Sequence, residues 1–300
     1  MKTSKLKLAI AVMLFASVAL TTSCKKSNSE KDTDTTEADD HAMAENTSSD
    51  IMNIGSQASD NNSGGLNSYK LGNDQEVLTA CATVKRDSVN KIDSVIFNNS
   101  TCLDGRTRNG ILIFNYSAST NGAKYYRDPG FSCIVTSVGY TVDGNAVNII
   151  NKSINNTTPI GFNPANTNLT WNIVSHIQVT KTEGVLDFSC NRTKTLLNTS
   201  DPNVYHGSSL PISWKLAKIG ITGSGSGTTV KGVSFSGNTT SMLVRDFGGC
   251  TVSGRHPFIS GTLDFTPGTK ATRHIDFGDG TCDLNATVTI NGITKNITLK

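Results

Sequence analysis

The chain has 300 residues, of which 36% are hydrophobic and 17% charged, and its formal net charge is +3. The charge is uneven, because residues 25–65 carry three basic against nine acidic residues and residues 66–300 carry 21 basic against 15 acidic. The basic residues form no run and no recognition motif, so no nucleic-acid partner is expected. An ordinary solvated surface is favoured over a site for acidic polysaccharide or lipid headgroups.

The N-terminal segment has the order of a secretory signal. Three lysines within the first seven residues precede the apolar run 8–20, and small residues lead up to Cys24. The thirteen residues of that run would span about 20 Å as a helix against a hydrocarbon core of roughly 30 Å, so a signal peptide at 1–23 is favoured over a membrane span. Small residues directly before a cysteine resemble a bacterial lipobox, which predicts an acyl anchor on Cys24. A plain secreted signal is the alternative.

Residues 24–66 form a segment of different composition. They are rich in Ser, Thr, Asn, Asp and Glu and contain no aromatic side chain. Such a segment buries too little apolar surface to offset its ordering entropy, so we predict a disordered linker that does not pack on the rest of the chain. Its acidic cluster at 30–40 resembles the export signals of surface lipoproteins in Bacteroidota-type bacteria, with a solvated charged tail as the alternative.

From residue 67 to 300 the pattern predicts strand after strand. Apolar and polar residues alternate over 169–180, as in a strand with one buried face. Asp143-Gly144, Gly237-Asn238 and Asn291-Gly292 have the composition of hairpin turns. No helix is predicted. We expect an all-β fold in which mostly antiparallel, up-and-down strands form a large sandwich or curved sheet, with two tandem β units divided near 155–200 as the alternative.

Six cysteines remain once Cys24 is set aside, and they form no Cys-x-x-Cys pair, which in an exported chain predicts disulfides. They are Cys81, Cys102, Cys133, Cys190, Cys250 and Cys282. The segments 95–102 (VIFNNSTC) and 275–282 (IDFGDGTC) share a strand, a turn and a final Thr-Cys, and each follows an upstream cysteine. This repeat predicts the pairs Cys81–Cys102 and Cys250–Cys282. The pair Cys133–Cys190 then follows by elimination.

Several motifs carry a resemblance to a known family. They are the strand that ends in Cys102 with DGRTRNG after it at 104–110, YRDPG at 126–130, DFGDGTC at 276–282 and the final Asn291-Gly292 hairpin. From about Val77 onward the chain resembles an uncharacterised lipoprotein family of Bacteroidota. The resemblance implies a cell-envelope location and an all-β domain, and it implies no activity, because none is established for that family.

Motifs that carry chemistry are few, and no catalytic residue, cofactor or metal is predicted. The five histidines are isolated in the sequence: His41, His176, His206, His256 and His274. The run Gly223–Gly227 (GSGSG) lacks a nucleophile elbow and is expected to form a hairpin tip rather than a phosphate-binding loop. Asp276, Asp279 and Asp283 predict a tight turn held by Cys282, with calcium binding as the alternative.

Some residues bear on glycan or polyanion binding. A glycosidase would need two carboxylates within roughly 5 to 9 Å of each other, and the candidates are Glu183, Asp187 and Asp264. Arg106 and Arg108 predict a cross-strand charge ladder, with a polyanion contact as the alternative. Exposed aromatic residues in a cleft would favour sugar binding, although core packing is favoured for Trp171. The aromatic candidates are Tyr125, Tyr126, Trp171, Tyr205 and Trp214.

Taken in order, these features predict a non-catalytic, lipid-anchored protein of the cell envelope that acts as a structural or binding module. The expected location is the outer membrane, on its surface or on its periplasmic side. The alternative function is an envelope lipoprotein that binds or degrades polysaccharide. The expected partners are the membrane, through the acyl anchor at Cys24, and a glycan or an envelope protein.

The Cys24→Ala variant tests the anchor. Because it lacks the thiol that would carry the acyl chains, we expect it to leave the membrane fraction or to retain its signal peptide. Membrane fractionation and the mass of the product measure this. A product of mature size that stays with the membrane would contradict the prediction.

Overall fold

Antiparallel strands, each paired with its neighbour in sequence, form one sheet of thirteen strands within the described residues. The computed structural model describes residues 36–60, 81–102, 104–252 and 256–298. The predicted signal peptide 1–23, the predicted lipidation site Cys24 and the parts of the predicted linker on either side of 36–60 lie outside these residues. The prediction of an antiparallel, up-and-down β fold is confirmed.

The elements follow one another with short connections. A helix, α1 (Thr36–Asp60), precedes the sheet, and a short 3-10 turn at Trp214–Leu216 lies between β7 and β8. The strands are β1 (Ala82–Asp87), β2 (Ile92–Thr101), β3 (Thr107–Asn115), β4 (Ser132–Val142), β5 (Asn145–Asn156), β6 (Leu169–Lys181), β7 (Gly184–Leu196), β8 (Lys218–Thr228), β9 (Ser234–Asp246), β10 (Phe258–Pro267), β11 (Arg273–Asp279), β12 (Asn285–Ile290) and β13 (Ile293–Thr298).

The sheet is continuous through residues 155–200, the region where the alternative prediction divides the chain into two tandem β units. β6 and β7 pair along their full length, from Leu169 opposite Leu196 to Lys181 opposite Gly184. All described residues belong to one compact unit, residues 35–300.

Two of the three predicted hairpin turns form. Asp143 and Gly144 have φ of 50° and 79° between β4 and β5, and Asn291 and Gly292 have φ of 50° and 77° between β12 and β13. Positive φ at both central residues matches the right-handed twist of the flanking strands. The prediction for Gly237-Asn238 is wrong, since both residues lie inside β9.

The two faces of the sheet differ in burial. On β6, Leu169, Trp171 and Ile173 are buried, while the residues between them are partly exposed. We name the side that carries these buried residues the helix face, because α1 packs on it, and the other side the open face. The alternation that predicted this strand therefore also marks which side is covered.

Helix α1 corrects the prediction that residues 24–66 form a disordered linker that does not pack on the rest of the chain. Its 25 residues include six acidic and no basic ones, yet most of its described side chains are buried. Ala44, Ile51, Ile54 and Ala58 are among the buried apolar residues and recur at helical spacing. Gly55 lets the helix approach closely, because a Cβ there would lie 2.5 Å from Cε1 of Phe114.

Three carboxylates of α1, two of them buried and one partly exposed, are paired with cations of the sheet. Asp40 lies 3.3 Å from Lys181 Nζ, Glu45 pairs with Arg192, and Asp50 Oδ2 lies 2.8 Å from Arg108 Nη2. Breaking such a pair by removing one partner costs about 3 to 5 kcal/mol, because a charge is left buried alone. These pairs explain how a polar helix is stable in a buried position.

The helix crosses the strands. Near its N-terminus, the ring of His41 lies 5.8 Å from that of Phe188 on β7 and 5.1 Å from that of Phe265 on β10. Near its C-terminus, Arg86 on β1 donates hydrogen bonds to the carbonyl oxygens of Ala58 and Ser59, 2.8 and 3.2 Å away. Arg86 thereby satisfies carbonyl groups that a helix end leaves without partners.

Disulfides join Cys81 to Cys102 and Cys250 to Cys282, the two pairs that the repeat predicts. The third predicted pair is wrong, since Cys133 and Cys190 are buried free thiols. They lie on β4 and β7, which are three strand spacings or about 14 Å apart. A disulfide needs Cα atoms within about 7 Å, so these two residues cannot be bridged in this fold.

The Ile54→Ala variant tests whether α1 packs on the sheet. Ile54 is fully buried, and truncation of such a side chain costs about 2 to 5 kcal/mol. We expect a fall in melting temperature of at least about 4 °C for a domain of this size. The exposed Asn46 on the same helix supplies the control, since Asn46→Ala should change stability by less than about 0.5 kcal/mol. Equal melting temperatures for both variants would contradict the packing of α1.

Candidate functional site

A groove with a volume of about 690 Å³ lies on the sheet between β5 and the start of β11. Small hydroxyl and amide side chains of the open face line most of it. Among the described residues that line it there is no lysine, arginine, phenylalanine, tyrosine or tryptophan. We name this feature the polar groove.

The polar groove has a regular first row, which we name the hydroxyl row. Its members stand directly opposite one another on β6, β7, β8, β9 and β10: His176, Ser189, Ser226, Ser236 and Thr266. Thr266 continues the row to Thr272, whose hydroxyl oxygen is 2.8 Å from its own. Because neighbouring strands lie about 4.8 Å apart, the row repeats hydrogen-bonding groups at that interval.

A second row, which we name the amide row, lies two residues along each strand, about 7 Å away. Its members are Asn191 on β7, Ser224 on β8, Asn238 on β9, Asp264 on β10 and His274 on β11. The Nδ2 of Asn172 on β6 donates to Asn191 Oδ1 over 2.8 Å and so fixes the orientation of that amide. The two rows together present alternating donors and acceptors across six strands.

Two histidine–aspartate pairs stand at opposite ends of the polar groove, and one member of each, His176 and Asp264, lines it. His176 Nε2 lies 3.1 Å from Asp187 Oδ2, to which Gln178 also donates over 2.8 Å. His274 Nδ1 lies 2.7 Å from Asp264 Oδ1. Each pair is partly exposed. These histidines look isolated in the sequence, because the aspartate that pairs with each of them lies on the neighbouring strand.

The serine and glycine alternation of β8 builds the centre of the groove. Ser224 and Ser226 are exposed on the open face, while Gly225 is buried on the helix face. A Cβ at Gly225 would lie 2.9 Å from the ring of Phe188, so only glycine allows that ring to pack there. The prediction that Gly223–Gly227 forms a hairpin tip is wrong, since this run is part of a central strand.

The carboxylates considered for glycoside hydrolysis do not come together. Asp187 on β7 and Asp264 on β10 are three strand spacings apart across the sheet. The residue of β7 in register with Asp264 is Asn191, so Asp187 is also displaced by four residues along the strand. Their strand positions are therefore roughly 19 Å apart, whereas glycosidase carboxylates lie within about 9.5 Å. Glu183 is exposed in the turn between β6 and β7.

A second polar cluster lies beneath α1 on the helix face. Lys152 Nζ donates to Ser48 Oγ over 2.9 Å and approaches Ser175 Oγ at 3.4 Å. Burial lowers the pKa of Lys152 to about 8, and burial raises the pKa of the nearby Cys133 thiol to about 12. A lysine of this basicity beside a serine has the chemistry of a general base. However, Lys152 is fully buried under α1 and is closed to a substrate.

The aromatic candidates do not line the polar groove. Tyr126, Trp171, Tyr205 and Trp214 are buried in the core, and the rings of Tyr126 and Trp171 stack with centroids 4.6 Å apart. Tyr125 carries the guanidinium of Arg127 over its ring at 4.2 Å. Core packing, rather than sugar stacking, therefore describes the four buried rings.

The remaining charged candidates are engaged within the chain. Arg108 is fully buried between Asp50 and Asp104, and Arg106 lies 3.6 Å from both Asp50 and Asp143. These contacts are intrachain ion pairs rather than a free polyanion site.

The three aspartates considered for calcium, of which Asp276 and Asp279 lie on β11 and Asp283 follows it, each accept a local backbone hydrogen bond. Asp276 Oδ1 accepts the backbone N–H of Gly278, Asp279 Oδ1 that of Thr281, and Asp283 Oδ1 that of Asn285. Within the described residues no three His, Cys, Asp or Glu side chains cluster as metal ligands would. The described part of the chain also has no helix long and apolar enough to cross a membrane.

No protein family, curated protein or solved structure matches this chain.

The pH dependence of stability tests the burial of Lys152. In the unfolded chain its pKa is near 10.5 and in the folded chain about 8, so between these values the unfolded state binds more protons and stability rises with pH. Replacing Lys152 by Met should remove a gain on the order of 3 kcal/mol between pH 8 and 10.5.

Denaturant unfolding of both proteins at pH 7.5 and pH 10 measures this difference. Cys133 and Cys190, whose pKa values burial raises, titrate with the opposite sign but are present in both proteins and therefore cancel. The same change with pH in both proteins would show that Lys152 is not buried as described.

Proposed function

We propose that this chain is a lipid-anchored binding module of the cell envelope, held by Cys24, whose polar groove binds an uncharged glycan. The observation that carries the proposal is the pair of rows on the open face, which offers hydroxyl, amide and imidazole groups in register across β6 to β11. Five strand spacings give these rows a length of about 24 Å, which suits an extended chain of several sugar residues.

The side chains of the groove favour an uncharged ligand. Among the described residues no lysine or arginine lines it, and its lining carboxylate, Asp264, is paired with His274. Small side chains also leave the sheet surface open, so that a polymer can lie close to it and exchange hydrogen bonds with water for hydrogen bonds with both rows.

Binding is favoured over cleavage as the function of the groove. Asp264 lines the groove, and Asp187, the partner of the lining residue His176, is too far from it for the two to act as the acid and nucleophile of one glycosidic bond. A binding module on a tether from Cys24 needs no such pair.

A glycan array, followed by calorimetric titration of the best ligand, tests the proposal on the mature chain. The Ser226→Arg variant places a long charged side chain in the centre of the hydroxyl row, where Ser226 is exposed. We expect the dissociation constant to rise by at least about tenfold, or 1.4 kcal/mol.

Thr136→Arg is the matched control, because Thr136 is exposed on the open face of β4 outside the groove. It should bind as the unmodified chain does. Absence of any glycan ligand, or an equal loss of affinity in both variants, would contradict the proposal.

A further inference from the structure

Two cations share one end of the helix face. Lys194 follows Arg192 by two residues on β7 and so lies on the same side of the strand. Arg245 on β9 stands opposite Ile219, and Lys194 stands opposite Ile221, so both cations lie over the same stretch of β8. Both residues are only partly exposed. Burial, together with the charge of Arg245, lowers the pKa of Lys194 to about 8.

No carboxylate neutralises this pair within residues 36–60, 81–102, 104–252 and 256–298. The acid next in sequence, Asp246, lies 3.9 Å from Lys218 and accepts the backbone N–H of Gly249. By contrast, the other buried arginines of the sheet, such as Arg108 and Arg192, each have a carboxylate partner. Arg108, Arg192 and Arg245 each have one buried nitrogen without a hydrogen-bond partner, and Arg245 differs in lacking an ion pair with any carboxylate of the described residues.

Aromatic rings hold the two cations in place. Lys194 Nζ lies 4.5 Å from the ring centre of Trp214, and Arg245 Cζ lies 4.4 Å from that of Phe258. Such contacts contribute about 0.5 to 2 kcal/mol each and leave the N–H donors available. Two like charges kept together in a half-buried place without a counterion are unfavourable by themselves, and an anion between them would remove that cost.

We propose that Lys194 and Arg245, backed by Trp214 and Phe258, form a binding site for a phosphate group. A phosphate monoester carries close to two negative charges, which match the two cations, and its oxygens accept hydrogen bonds from both a guanidinium and an ammonium group. The site lies on the helix face and is separate from the polar groove, so it does not depend on the glycan proposal. The phosphate can belong to a soluble ester or to a lipid headgroup.

The test uses the mature chain with Cys24→Ser, so that no acyl chain drives membrane binding. It is titrated with inorganic phosphate, with phenyl phosphate, and with vesicles of phosphatidylcholine with or without phosphatidic acid, whose headgroup is a phosphate monoester. We expect saturable binding of phenyl phosphate if the source is a soluble ester, and preference for the phosphatidic acid vesicles if it is a lipid headgroup. Lys194→Met and Arg245→Met should each weaken binding by about tenfold or more.

Lys215→Met supplies the matched control, because Lys215 is an exposed lysine of the adjacent 3-10 turn. It should leave binding unchanged. A second measurement uses the protein without substitutions at the site, so it does not depend on how well the variants fold. Bound phosphate should raise the pKa of Lys194 and therefore slow the acylation of its amine by an amine-reactive reagent at pH 8.5. Binding of none of the probes, an equal loss in Lys215→Met, or unchanged acylation of Lys194 at saturating phosphate would overturn the proposal.

Discussion

The contact between the acidic helix α1 and the cations of the sheet is the interaction on which the rest of the structure depends. A helix with six acidic and no basic residues has little reason to be buried by itself. Asp40, Glu45 and Asp50 each meet a lysine or arginine of the sheet. Because a buried charge is costly until it is paired, each partner makes the burial of the other tolerable. The helix and the sheet are therefore expected to form together.

This contact also decides which surface is available for function. α1 covers the part of the helix face that holds Lys152 and the two free thiols, so these groups are enclosed. The open face keeps its polar side chains exposed. Strand β8 contributes to both faces, since Gly225 leaves room for the ring of Phe188 on the helix face while Ser224 and Ser226 are exposed on the open face. The packing of the helix face and the regularity of the polar groove are thus two consequences of one strand sequence.

Local patterns in the sequence predict the strands, two turns and two disulfides, but not α1 or the groove. Period-two alternation and Asn-Gly or Asp-Gly pairs are local signals, and the 95–102 and 275–282 repeat indicates the cysteine pairs. The polar composition of residues 24–66 led to the prediction of disorder in place of the helix. Two signals in the sequence nevertheless indicate it: apolar residues at helical spacing (Ala44, Ile51, Ile54 and Ala58), and the opposite net charges of residues 25–65 and 66–300, which favour a contact between them. The groove depends on strand register, which brings Ser189, Ser226 and Ser236 side by side from distant positions.

The cost of an unpaired buried charge, which explains the contacts of α1, also sets Lys194 and Arg245 apart from the other cations of the sheet. The carboxylates of the helix reach Lys181, Arg192 and Arg108, but within the described residues none pairs with Lys194 or Arg245, which flank β8. There the cations have aromatic faces in place of anions, and rings compensate a charge less than a carboxylate does. A sheet face that neutralises its other buried arginines and leaves this pair unneutralised is complementary to an anion from outside the described chain.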